Sequence, residues 1–220
     1  MKVLVACEYS GIVREAFRRR GHDAWSCDLL DTEQPGPHYK CDVLEVLGLG
    51  WDLMIAHPPC TYLSRAGARF WNTPGRAEKR DEAMAFFMEL WNAPLSRVCV
   101  ENQVGYPWSM FRRPDQIINP FQFGDPARKK TCLWMRGLPL LVTSPGLFQQ
   151  CTTKAIPAPS PVFVEASGCK ARHFTDSIGN VPDRWKIRSR TFPGIAEAMA
   201  EQWGNLETKA TSTQAAERNE

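Results

Sequence analysis

The chain has 220 residues, 43% of them hydrophobic and 23% charged, with a formal net charge of +3. That is the composition of one ordinary globular domain with room for a sizeable core, and its weak positive balance admits nucleic acid without demanding it. No apolar run reaches the roughly 18 residues of a membrane span, and the N-terminus turns polar too soon for an export signal, so the eight scattered cysteines read as reduced thiols of a cytoplasmic protein.

In chain order, Lys2–Cys7 predicts a first strand, and Ser10 is placed to cap the helix that follows. Ile12, Val13, Ala16 and Phe17 recur at helical spacing, and Gly21 closes that helix. Ala24–Cys27 predicts a second strand ending at Asp28. Strand, turn, helix, strand and acid open a Rossmann-like nucleotide site, with Asp28 placed to accept from ribose hydroxyls. Only Gly11 represents the glycine fingerprint, so a βαβ unit without a cofactor fits these residues equally well. Thr32–Tyr39 is a Pro/Gly loop. Cys41-Asp42-Val43 predicts a short strand or turn, where Asp42 either accepts from an adenine amino group or is a plain loop carboxylate.

The stretch Asp52–Ser64 organises the chain. Its first half is a short apolar run and predicts a buried strand. Pro58 and Pro59 lack backbone N–H groups, so the sheet ladder stops there and Cys60 is the next residue presented. Chemistry in open α/β sheets sits at the carboxyl ends of strands, which makes Cys60 a candidate nucleophile; a space-filling thiol is the alternative. Arg65–Trp71 reads as a flexible basic-aromatic loop, suited to closing over a nucleotide or simply lying on the surface. Arg76–Trp91 predicts a helix whose face of Ala83, Met84, Phe87, Met88 and Trp91 belongs to the core. Arg97–Val100 predicts another buried strand, delivering Glu101 and Asn102 to the same rim as Cys60.

Gln116–Gly124 reads as one more strand segment and Thr131–Met135 as the last core strand. Arg128, Lys129 and Lys130 at its entrance suit phosphates or a solvated edge. Residues 143–182, punctuated by Pro and Gly, form an irregular insertion. Cys151, Cys169 and His173 within it fit no standard zinc spacing, so no metal is expected. Trp185–Thr191 is basic. Ile195, Ala196, Met199, Ala200 and Trp203 mark a final amphipathic helix, and 205–220 reads as a disordered tail. Residues 1–142 and 183–204 thus make up the main domain.

Pro58-Pro59-Cys60, with Ser64 and Ala66-Gly67 beyond it, resembles the catalytic loop of the DNA cytosine C5 methyltransferases. Glu101-Asn102 resembles that family's E-N-V motif. Phe123-Gly124-Asp125-Pro126 followed by Lys129 resembles its F-G-x-P-Q-x-R-x-R motif. Glu8–Gly11, Asp28 and Asp42 fall where its first cofactor motifs lie, and the helix after Thr191 resembles its closing motif. The D-L-M-I-A-H-P-P-C-T run and the R-S-R-T to Q-W-G ending are similar to a short phage-type subgroup. The sequence departs from the family at His57, Thr61 and Thr131, and the large target-recognition domain is missing.

The resemblance implies a Rossmann-like, S-adenosylmethionine-dependent methyltransferase fold and modification of phage or prophage DNA. It implies Cys60 as the nucleophile adding to cytosine carbon 6, Glu101 holding the ring nitrogen and amino group, and Asn102 fixing the loop. Lys129, or Arg69, would favour the thiolate. The cofactor would lie against Glu8, Tyr9, Ser10, Gly11, Asp28, Asp42, Pro58 and Thr191. Ser64, Arg65, Arg69 and Arg128 would hold DNA, duplex or single-stranded. A second copy or a partner subunit would supply target recognition. The alternatives are another group carried by the same cofactor, a free nucleotide substrate, or a non-catalytic binding module.

Overall fold

Lys2–Ala6 forms strand β1, and its residues divide by parity between two cores. Val3 and Val5 pack on one face of the sheet, Leu4 and Ala6 on the other, and all four are fully buried. A strand covered on both faces has to be apolar throughout, which explains the uninterrupted run. The computed structural model describes residues 1–143, 155–158, 163–164, 170–171, 178 and 181–206. The further strands are β2 (Asp23–Asp28), β3 (His38–Lys40), β4 (Leu53–Ala56), β5 (Val98–Gln103), β6 (Gln116–Ile118) and β7 (Thr131–Arg136). A separate antiparallel pair is formed by β8 (Phe163–Val164) and β9 (Lys170–Ala171). The helices are α1 (Ile12–Arg19), α2 (Arg76–Trp91), α3 (Tyr106–Met110), α4 (Arg184–Ser189) and α5 (Pro193–Gly204).

The seven-stranded sheet runs in the order β3-β2-β1-β4-β5-β7-β6. The first five strands are parallel, and β7 is antiparallel to both of its neighbours. The chain is therefore an α/β protein with a mostly parallel mixed sheet, an architecture compatible with a Rossmann-like fold. On one face α1 and α5 close over Val13, Phe17, Ile195, Met199 and Trp203. On the other, Phe87 and Leu90 of α2 pack with Met54, Ala56 and Trp134. Strand order reverses between β1, which leads to β2, and β4, which leads to β5. The carboxyl ends of those two strands flank the crevice where such sheets bind ligands.

Several local expectations are corrected. The third strand is His38–Lys40, starting within the expected Pro/Gly loop, while at Cys41–Val43 the turn alternative holds, with 43–45 a 3-10 turn capped by Asp42. The Gln116–Gly124 segment keeps only three strand residues, because Pro120 cannot donate to a ladder and opens a 3-10 turn over Pro120–Phe123. Residues Arg65–Phe70 form a 3-10 helix rather than a loose loop. Its entry is tied down by an antiparallel bridge between Ser64 and Gly105. A Cβ on Gly105 would stand 2.0 Å from the Leu63 carbonyl oxygen, so only glycine permits that approach.

Gly11, not Ser10, holds the N-cap position of α1, and the Ser10 hydroxyl accepts only a long bond from Ile12 N–H (3.4 Å). Gly11 turns the chain at φ +73°, and the longer Glu8 side chain reaches the free N–H groups of Val13 and Arg14 instead. Most of the 143–182 insertion, including Cys151, Cys169 and His173, lies outside the described residues, as does the tail beyond 206. Among the described residues no His, Cys, Asp or Glu cluster could hold a metal ion, and no helix is long and apolar enough to cross a membrane.

Candidate active site

A cleft opens at the carboxyl ends of β1 and β4. It is lined by Cys7, Glu8, Tyr9, Ser10, His57, Ser189 and Thr191, and holds about 270 Å³ of empty space counting its open mouth. Cys7 leaves β1 at φ +57°, a left-handed conformation that costs a side-chain-bearing residue energy and that collects at functional sites. Glu8 is buried, its carboxylate accepting from Val13 N–H (2.7 Å), Arg14 N–H (3.2 Å) and the Ser10 hydroxyl (3.2 Å). Burial still pushes its pKa up; His57 and those hydrogen bonds offset only part of that. The Tyr9 hydroxyl donates to the Lys186 carbonyl (2.6 Å) and lies 3.1 Å from Ser189 Oγ. It thereby holds α4 against the cleft.

Of the expected cofactor residues, Glu8, Tyr9, Ser10 and Thr191 line this cleft, whereas Gly11, Asp28, Asp42 and Pro58 are not among its lining residues. Asp28 is half-buried at the tip of β2 and accepts from Leu30 N–H (3.0 Å); burial pushes its carboxyl upward. Leu29 beside it is 72% exposed, an apolar surface next to an acid. Asp42 accepts from Leu44 N–H (3.0 Å). After burial, Asp28, Cys27 and Asp42 all raise the Cys7 thiol. Pro58 is buried, and its carbonyl is taken by Asn102.

The second part of the site is the rim formed by the ends of β4 and β5. Asn102 Nδ2 donates to the Pro58 carbonyl (3.0 Å), fixing the Pro-Pro turn that carries Cys60. The Cys60 carbonyl accepts from Leu63 N–H and Ser64 N–H, which closes the next turn. Burial raises the Cys60 thiol and Glu101 raises it further. Lys129 and Arg188 pull it back without reversing the shift. For Glu101, burial pushes the carboxyl up, but the His57 hydrogen bond and the Lys129 charge outweigh it and hold it below its ordinary value. Cys60, Glu101 and Lys129 therefore act on one another in a single electrostatic neighbourhood. Lys129 Nζ donates to the Arg188 carbonyl (3.0 Å), which secures the α4 segment to that neighbourhood.

His57 is the residue that sequence reasoning missed. Its Nδ1 lies 3.2 Å from Glu101 Oε2, and since a carboxylate only accepts, Nδ1 carries the proton. Its Nε2 is buried without a hydrogen-bond partner among the described residues, in the wall of the cleft. The bridge from the Cys60 rim to the cleft is this imidazole. The only sequence hint was its position where the resembling family keeps glycine. Arg188 was missed as well.

The expected DNA-contacting residues separate. Arg65 and Arg69 are exposed beside the rim, and Arg69 lies on the Phe70 ring 4.6 Å from its centroid. The structure thus assigns the electrostatic support of Cys60 to Lys129 and Arg188, not to Arg69. Ser64 is buried in its bridge with Gly105 and is unsuited to hold a phosphate. Arg128 packs 5.6 Å from the Phe121 ring. No protein-family model matches the chain, and no curated protein does either.

Proposed function

We propose that the chain is an S-adenosylmethionine-dependent DNA cytosine C5 methyltransferase. What supports this reading most is the His57–Glu101 contact, which ties the cleft at the sheet's switch point to the tip of β5, with Glu101 and Lys129 both acting electrostatically on Cys60 beyond the end of β4. The cleft fits the cofactor on two counts. Thr191 in its lining offers a hydroxyl to a bound group, and the Asp28 carboxylate next to exposed Leu29 suits a ribose and its base. Glu8 caps α1 beside the cleft, whose lining also includes Tyr9, Ser10 and Thr191. When bound, the cofactor supplies an electrophilic methyl group for carbon 5.

The protein's own part follows from its charges. Cys60, deprotonated, adds to carbon 6, and the ring's displaced electron density collects toward carbon 5 and the N3–C4 edge. Glu101, kept ionised by His57 and Lys129, accepts from the exocyclic amino group and orients that edge. Lys129 lowers the cost of the thiolate next to a carboxylate. In the neutral ring, His57 Nε2 is an acceptor backed by Glu101, and it takes the proton that must leave carbon 5 before the thiolate is expelled.

One observation favours a second reading, a binding module without catalysis: the Cys60 thiol is raised, not lowered. Nucleoside mass spectrometry of DNA from cells expressing the protein separates the two. The enzyme reading expects 5-methyldeoxycytidine with the natural chain and none with Cys60→Ala. Unmodified DNA in both, from a folded and expressed protein, contradicts it.

A further inference from the structure

Residues 65–80 carry five cations and a single carboxylate, Glu78. Among the described residues, none of Arg65, Arg69, Arg76, Lys79 or Arg80 pairs with an acid. Their company is aromatic instead. Arg69 lies 4.6 Å from the Phe70 ring centroid and Arg76 4.9 Å from that of Tyr62. Arg80 lies 4.5 Å from Tyr106 and 5.4 Å from Trp71. Lys79 Nζ stands 5.9 Å from Tyr62. Phe70 is 45% exposed, so one ring of the patch is open to an outside partner. The patch also joins the rim directly, because Arg76 Nη2 donates to the carbonyl of Thr61, next to Cys60 (3.0 Å).

We infer that this face is a docking surface for single-stranded DNA, which it leads to Cys60. Cations without a carboxylate partner suit a polyanion, and a phosphate backbone supplies evenly spaced charges. Interleaved rings and planar guanidiniums offer flat faces on which bases stack. Only unpaired bases can use them; a duplex presents phosphates and keeps its bases stacked inside. An unpaired strand also delivers a cytosine to Cys60 with no base pair to open. The choice of DNA over RNA rests on the cytosine chemistry proposed above; the stacking and charge argument does not.

The test is fluorescence anisotropy on full-length protein without cofactor, using a labelled mixed-sequence 20-nucleotide strand, its duplex, and the same sequence as RNA. The surface predicts at least about tenfold tighter binding of the DNA strand than of the duplex. Arg69→Ala/Lys79→Ala is expected to weaken strand binding about tenfold and to make the salt slope shallower by about 1.4, two single-strand phosphates. Phe70→Ala is expected to weaken it about tenfold with the slope unchanged. Arg69→Glu/Lys79→Glu, at exposed positions, guards against a silent alanine pair. Duplex binding as tight as strand binding, or charge-reversed protein that binds like the natural chain, overturns the inference. Tighter binding of RNA than of DNA overturns the choice of nucleic acid. Cys60→Ala is included to keep the two proposals apart. Strand binding by a chain that never methylates removes the chemistry and leaves the surface, whereas methylation of duplex with no strand binding does the reverse.

Discussion

The two sides of the molecule treat polar groups in opposite ways. Around α1 most charges are answered from within, with the buried Nε2 of His22 an exception among the described residues. Buried Arg14 donates to Glu15, Ser26, Thr32 and the carbonyls of Gln34 and Pro37. Arg19 pairs with Glu197, and Arg190 with Glu33. From His57 through Arg80 the pattern reverses. His57 Nε2, Trp71 Nε1, Arg76 Nε and Arg80 Nε are buried without partners among the described residues, and the cations rest on rings. Polar groups satisfied internally stabilise a fold; those left open are available to something outside it. The first region commits its polar groups to the fold, and the second leaves several open, as the proposed binding and chemistry require.

The largest effect that separates them is expected at Arg14. Arg14→Leu strands the carbonyls and hydroxyls it serves and should cost about 3–5 kcal/mol in chemical denaturation; a loss under about 1 kcal/mol would break the comparison. Next comes His57→Gln, with an expected fall of about a hundredfold in methylation turnover and little change in stability. The adduct with 5-fluorocytosine, which needs no proton removal at carbon 5, should still form in this variant. Loss of adduct and turnover together would give His57 only a structural part.

A smaller effect concerns the Cys60 thiol. Its pKa is raised by burial and Glu101, so alkylation should be slow at neutral pH and climb about tenfold per pH unit past the ordinary thiol value near 8.5. Lys129→Ala removes a cation that lowers it, so the whole profile should move to higher pH and the neutral rate should fall several-fold. An unshifted profile would remove Lys129 from the site. The smallest effect belongs to exposed Arg19, where Arg19→Ala should change stability by less than about 1 kcal/mol and strand binding not at all.

Much of the frame was legible because β1, β4 and the first half of β5, Val98–Val100, are buried on both faces and must be apolar, and because two prolines shortly after β4 keep the ladder from continuing to Cys60. The contacts that make the site were less so. Nothing local to Arg14, set between Val13 and Glu15 on a short helix, shows that residues 32–37 fold over it; it reads as a surface cation. The His57–Glu101 contact spans 44 residues and arises from the pairing of β4 with β5. Lys129 and Arg188 meet across 59 residues. β3 was hidden in its loop because three residues at a sheet edge leave too little pattern to read.

The central claim is that the Cys60 sulfur bonds to cytosine. Incubating the protein and S-adenosylmethionine with a single-stranded oligonucleotide carrying 5-fluorocytosine, then weighing the intact protein, measures this directly. The account predicts a stable species heavier by one modified oligonucleotide, formed by the natural chain and absent for Cys60→Ala. Free protein alone in both samples, with the oligonucleotide shown to be bound, would contradict it.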